Sequence, residues 1–244
     1  ISPQMRDRMA ELFESLNGQF DARAIVLTAT GDRFFCTGAD ISVGREYATR
    51  PDDAPKIAVG EPRRMMLRGQ HPLMASILDC ELPVIAAVNG TAAGGGFSLA
   101  LSGDYILASD KAKFVSAYTA SGLTPDGSST YYLAKHIGLL KAKELFLTNR
   151  MLTAKEAVEW GFVNEVTDHE NLMKRAGELA SQFAKGPTMA FGGVKRMLLS
   201  SFSNPIEAQL DQETRHIVGT MDTHDGPHGL DAFLNKEKPS FKGK

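Results

Sequence analysis

The sequence predicts an α/β fold: mainly parallel sheets with flanking helices, extended by a C-terminal helical region. Three observations point there. The apolar runs Ala24–Thr30 and Pro83–Val88 are nearly continuous rather than alternating, as in strands buried on both faces of a parallel sheet. Strand-like and helix-like stretches alternate through the first half of the chain, the pattern of βαβ units. From Ser128 onward the pattern turns almost wholly helical. A chain of 244 residues holds one domain, or a core with an appendage. The expected division is a core over 1–185 and a helical region over 186–244.

Taken in order, Ser2 suits an N-cap and Pro3 a first helical residue, opening a helix over Pro3–Leu16 with Met5, Met9, Leu12, Phe13 and Leu16 on one face. The Ala24–Thr30 strand ends in a turn running from Gly31 through Gly38 to Ile41. Ser42–Gly60 is polar and charged, which suits a solvated surface insertion or a lid beside a pocket. A helix over Glu61–Leu78 leads into the Pro83–Val88 strand. The chain breaks at Asn89-Gly90, reaches Gly94-Gly95-Gly96 and turns helical at Phe97–Leu101. Asp104–Ser109 and Ala112–Ala117 read as short strands. Helices are predicted over Thr130–Ile137, Lys141–Leu147, Thr153–Trp160, Asn171–Phe183, Pro187–Ser200 and Pro205–Met221, with an apolar segment at Phe162–Val166 and a closing apolar turn at Gly229–Leu234.

Composition narrows the function. The net charge is −2, so no global field draws in nucleic acid or an anionic membrane surface. No apolar run approaches the ~20 residues of a spanning helix. Cys36 and Cys80 lack metal-ligand spacing and read as reduced thiols, which fits a cytoplasmic protein. The histidines show no ligand spacing either. His224 and His228 are four apart, but the Gly226-Pro227 between them marks a helix boundary. No metal is expected. No G-x-S-x-G supports a serine hydrolase.

The three glycines lie where a strand gives way to a helix. They fit a tight turn with close packing. They also let backbone N–H groups at a helix start approach a ligand that carries negative charge. They match neither the dinucleotide fingerprint nor the phosphate-binding loop: the last glycine of G-x-G-x-x-G is missing, and no lysine follows.

Three segments in order, FCTGADI at 35–41, PVIAAVNGTAAGGG at 83–96 and LTAKEAVEWGFVNEV at 152–166, resemble the crotonase, or enoyl-CoA hydratase/isomerase, superfamily. The resemblance spans nearly the whole chain and implies a ββα-superhelix core with a C-terminal trimerisation region. It implies an acyl-CoA thioester substrate, with coenzyme A part of the substrate and no separate cofactor, and a homotrimer or a hexamer built as a dimer of trimers. The backbone N–H groups of Ala39 and Gly95 correspond to the pair that holds the thioester oxygen as it becomes an enolate. Thr37, Gly38, Asp40, Ile41 and Gly94 are the matching substrate-binding positions around them. The lysine-rich tail, with Phe241 and Lys244, corresponds to a segment that contacts the CoA nucleotide, although a solubilising tail has the same composition. Members also carry a strand pair before the first helix. It is absent here, as in a truncated or partly recorded chain.

The reaction depends on the acid/base groups. Hydratases of the family use two glutamates; the matching positions here are Ser98 and Tyr118. Adding water across a double bond needs one group to activate water and one to deliver a proton, so a straightforward hydratase is disfavoured. One carboxylate remains, in SGLTPDGSSTYYL at 121–133. By composition, Pro125-Asp126-Gly127 is a favoured turn, with an aspartate suited to a helix start. The resemblance instead makes Asp126 a proton shuttle, as in enoyl-CoA isomerases and ring-epoxide isomerases of phenylacetyl-CoA breakdown. One base suffices there, taking a proton from C2 and returning it at C4. Ser98, Tyr118 and His71 are expected to line the pocket. A rival reading is a 4-chlorobenzoyl-CoA dehalogenase-like hydrolase with Asp126 as nucleophile. In that group a tryptophan and a histidine assist, and Tyr118 and His71 stand at those positions. A third reading is a vestigial acyl-CoA binder or assembly protein.

Overall fold

A computed structural model describes residues 1–19, 21–40, 63 and 66–244. Ile41, the Ser42–Gly60 segment and the start of the helix predicted from Glu61 lie outside the described residues. The chain opens with α1 (Pro3–Leu16), capped as the sequence predicts: the Met5 N–H donates to Ser2 Oγ at 3.2 Å, and Pro3 sits in the first turn. Strands β1 (Ile25–Leu27) and β2 (Phe34–Cys36) follow. A π-helical turn over Met66–Gln70 then runs into α2 (His71–Asp79). The sequence predicted one uninterrupted helix here. Pro72 has no N–H to give, so the ladder loses a bond where the wider turn meets the α-helix.

Next come β3 (Val84–Val88), β4 (Thr91–Ala93), α3 (Gly95–Leu101), β5 (Tyr105–Ser109) and β6 (Lys113–Val115). Beyond them lie α4 (Ser129–Thr148), β7 (Leu152–Thr153), α5 (Ala154–Trp160), β8 (Glu165–Thr167), α6 (Leu172–Ala184), α7 (Thr188–Ser200), α8 (Ile206–Met221) and α9 (Asp225–Leu234). Helix α4 is broken at Gly138 (φ 77°, ψ 160°), so the two helices predicted there meet end to end. The predicted closing turn at Gly229–Leu234 is instead the end of α9. Pro227 is tolerated in that helix because first-turn N–H groups need no partner inside the helix.

Among the described residues, two four-stranded sheets form. In the first, β1-β3-β5-β8 are all parallel, with Val26 opposite Ile85 and Ala87 opposite Leu107. The second has the order β2-β4-β6-β7, parallel except for β7. Strands β2 and β4 lie in stretches that the sequence pattern reads as turns. They are three residues each, too short to show a period. Every residue of β3 is buried, as its unbroken apolar run requires. Between the sheets and helices, Phe97, Phe114 and Phe162 pack tilted or edge-on with ring centroids 5.3–5.8 Å apart. A smaller apolar cluster joins Ile85, Ala87 and Leu107 to Leu172, Ala176 and Leu179 of α6.

Candidate active site

The second sheet builds the site. β2 pairs in parallel with β4, Cys36 opposite Ala92. The two strands therefore end side by side, and the segments that leave them emerge together: Thr37–Asp40 from β2 and Gly94–Gly96 from β4. The approach is close. A Cβ on Gly38, whose φ is +97°, would lie 3.2 Å from the Gly95 nitrogen. A Cβ on Gly96 would stand 2.0 Å from the Cys36 carbonyl oxygen, so the glycine triplet does pack tightly, as its composition allows. It also leaves donors open. The Gly94 carbonyl accepts from Phe97 and Ser98, whereas the N–H groups of Ala39 and Gly95 meet no acceptor among the described residues. Gly38 is buried, and Thr37, Ala39 and Asp40 are exposed.

A carboxylate sits over this junction. A Cβ on Gly95 would lie 4.0 Å from Asp126 Oδ1 and 3.9 Å from the Tyr118 hydroxyl. Tyr118 donates to Asp126 Oδ1 at 2.5 Å. Ser98 Oγ donates to the Asp126 carbonyl at 2.9 Å and lies 3.3 Å from the Tyr118 hydroxyl. Ser98 is fully buried. It therefore braces Asp126 from behind and does not line an open pocket, which corrects the expectation from sequence. Burial, and then the bond to Asp126, push the Tyr118 phenol well above the usual tyrosine range, so it stays a neutral donor.

The backbone around these groups is strained. Ala117 (φ 61°) precedes Tyr118, and Ser128 (φ 63°) follows Gly127. A left-handed conformation costs a non-glycine residue about 1–2 kcal/mol. Gly127 (φ +58°) lies against Ser98, whose Cβ would be 2.8 Å from a Cβ placed there. Two residues not read as functional from sequence stand at the turn. Ser129 Oγ holds it by donating to the Asp126 carbonyl at 2.8 Å, and Gln70 crowds it, with Nε2 3.0 Å from where a Gly127 Cβ would stand. The Ser128-Ser129 pair before a helix was a capping signal for the first. Nothing in the chain pattern marks Gln70.

The remaining predicted residues lie elsewhere or make no contact here. His71 is exposed on the first residue of α2, with no recorded contact to Asp126. Phe241 and Lys244 belong to a tail pinned against α7 and α9: Arg23 donates to the Phe241 carbonyl at 3.0 Å, and Asp225 donates through its N–H to the Lys244 carbonyl at 3.2 Å. A cavity of about 470 Å³ lies away from Asp126, between α2, α4 and α7. It reaches Leu101–Asp104, past the far end of α3 from Gly95, and contains the Lys195–Asp104 ion pair at 2.6 Å.

Fold and site together define a mainly parallel α/β enzyme with two open backbone donors beside one braced carboxylate. The chain belongs to the enoyl-CoA hydratase/isomerase family, whose pattern it matches over residues 1–244, and it is an acyl-CoA enzyme with the crotonase fold. It is 35% identical over its whole length to 1,2-epoxyphenylacetyl-CoA isomerase of Escherichia coli, covering 90% of that protein. Over 97% of its length it is 31% identical to carnitinyl-CoA dehydratase of Citrobacter koseri, covering 87% of it. Among solved structures it resembles an enoyl-CoA hydratase from Bacillus anthracis, with a TM-score of 0.87 at 29% identity over 100% of this chain and 90% of that one.

Proposed function

We propose that this enzyme moves a double bond in an acyl-CoA thioester, converting a 3-enoyl-CoA to a 2-enoyl-CoA or carrying out a related ring isomerisation. The observation that carries the reading is a braced carboxylate, Asp126, beside two backbone N–H groups that are open among the described residues, with hydroxyls at Ser98 and Tyr118. In this mechanism the N–H groups of Ala39 and Gly95 receive the thioester oxygen. Asp126 takes a proton from C2, the C–H pair enters a dienolate held by those donors, and the same proton returns at C4. The C3=C4 double bond becomes C2=C3, and nothing is consumed. Fixed donors aimed at developing charge contribute about 100- to 1000-fold each, and a positioned base about 100- to 10000-fold. Hydration needs a second acid/base group. Ser98, committed to the Asp126 carbonyl, and Tyr118, held neutral by burial and by Asp126, are poorly suited to that task.

The test is incubation with a 3-enoyl-CoA in deuterated buffer, with NMR reading of double-bond position and of deuterium at C2 and C4. The expected result is a 2-enoyl product, lost by at least 100-fold in Asp126→Asn while acyl-CoA binding persists. Turnover unchanged in Asp126→Asn would sink the assignment. Halide release from a 4-halobenzoyl-CoA without isomerisation would replace it with the nucleophilic reading. We propose also that α7–α9, with Leu198, Phe202, Ile217 and Phe233 exposed, assemble a homotrimer or hexamer, and that Phe241 and Lys244 meet the CoA nucleotide there.

A further inference from the structure

We infer that Tyr118 is a positioning residue for the proton shuttle: its phenol ties one oxygen of Asp126 while the carboxylate is charged and turns its proton to Ser98 Oγ once Asp126 is loaded. The inference rests on Asp126 being the base.

Counting protons carries it. Ser98, Tyr118 and Ser129 supply three hydroxyl protons to this cluster, and Ser129 gives its own to the Asp126 carbonyl at 2.8 Å. Ser98 is fully buried, and its nearest acceptor is the Asp126 carbonyl at 2.9 Å. Tyr118 has the Asp126 carboxylate at 2.5 Å, and a charged acceptor takes precedence over a hydroxyl. The 3.3 Å contact between Ser98 Oγ and Tyr118 Oη then has no proton of its own. When Asp126 accepts the C2 proton, its negative charge passes to the dienolate, and Oδ1 loses what made it the stronger acceptor. Ser98 Oγ, with lone pairs to offer, is the alternative within reach. The phenol proton turns about the C–O bond, so no covalent bond of Tyr118 breaks. It turns back when Asp126 delivers its proton to C4. Asp126 Oδ2 meets no donor among the described residues, which leaves it the oxygen free to face the substrate. The burial that keeps Tyr118 un-ionised makes it a donor throughout the cycle and never a competing base. The strained φ at Ala117 and at Ser128 holds both ends of the arrangement.

The experiment compares kcat and KM for the wild type, Tyr118→Phe, Ser98→Ala and Asp126→Asn, with folding checked by thermal denaturation. Tyr118→Phe is expected to lose roughly tenfold or more in kcat with KM nearly unchanged. Ser98→Ala, which removes the acceptor for the turned phenol proton, is expected to lower kcat severalfold, again with KM nearly unchanged. If Tyr118→Phe folds poorly, fluorotyrosine at position 118 keeps both the shape and the phenol proton, and its kcat should stay close to that of the wild type. An unchanged kcat in a folded Tyr118→Phe, with Asp126→Asn inactive, overturns this inference and leaves the base assignment standing. Full turnover in Asp126→Asn removes the base assignment and this inference with it.

Discussion

Gly38 shows how little room a single residue leaves at this site. Its φ of +97° is one that other residues rarely adopt, and a methyl group there would stand 3.2 Å from the Gly95 nitrogen. Gly38→Ala therefore strains the backbone and pushes apart the two segments that carry the open N–H groups. It should lower Tm by a few degrees and kcat/KM by about 100-fold, read by calorimetry and by turnover on the same preparation. A loss of stability with full activity would mean that the two donors do not work together. At this scale the sequence was informative where one residue type answers one local demand. Gly38, Gly95 and the Pro-Asp-Gly turn at 125–127 could all be picked out from the chain alone. Ser98 was expected to line the pocket with Tyr118 and His71, and the structure buries it against the Asp126 carbonyl, because burial depends on the packing of α3 and α4 and not on nearest neighbours. Gln70 carried no signal: a glutamine before a helix is ordinary until the fold sets it beside Gly127.

Element boundaries followed local chemistry wherever caps were present. Helix α5 has a full capping box: the Glu156 N–H donates to Thr153 Oγ1 at 3.3 Å, and the Thr153 N–H donates to Glu156 Oε2 at 2.9 Å. That backbone bond, then the Thr153 hydroxyl and Arg150, hold the Glu156 carboxyl below the usual range. Thr153→Ala should lower Tm by a few degrees and leave turnover unchanged, since α5 lies outside the site. A matching loss of turnover would show that β7 and α5 support the catalytic sheet more directly. The strands missed from sequence include β2 and β4. Each has three residues and lies between glycine-rich breaks, so its strand character comes from the pairing itself. Helix α9 was missed for a different reason. Its first turn is secured by the distant tail, with both Asp225 carboxylate oxygens engaged by Lys242 and Gly243 N–H groups at 2.7 and 2.6 Å.

That tail contact belongs to the scale of the whole molecule, because it joins the two ends of the chain through Arg23, Asp225 and the last four residues. Burial alone would raise the Asp225 carboxyl, but the N–H groups of Lys242 and Gly243, with His224, outweigh it and hold it below the usual range. A carboxyl lowered by folding contributes stability that is present above its unfolded value of about 3.9 and is lost as pH falls through the folded value. The tail should therefore stay closed at neutral pH and release in acid below about pH 4. Limited trypsin digestion of Asp225→Asn at neutral pH should cut after Lys236 and Lys242 faster than in the wild type; equal rates would show that other contacts suffice to hold the tail. No helix among the described residues is long and apolar enough to cross a membrane.

The parallel pairing of β2 with β4 has a consequence for how the chain acquires its activity. Cys36 and Ala92 come together only after the long crossover between them has closed, and α2 and β3 lie within it. No local segment can nucleate the pair of donors. Closing a long connection before its contacts form is a slow, entropically opposed event. On the proposed function, activity in refolding is therefore expected to return no earlier than this encounter, whatever helical content forms first.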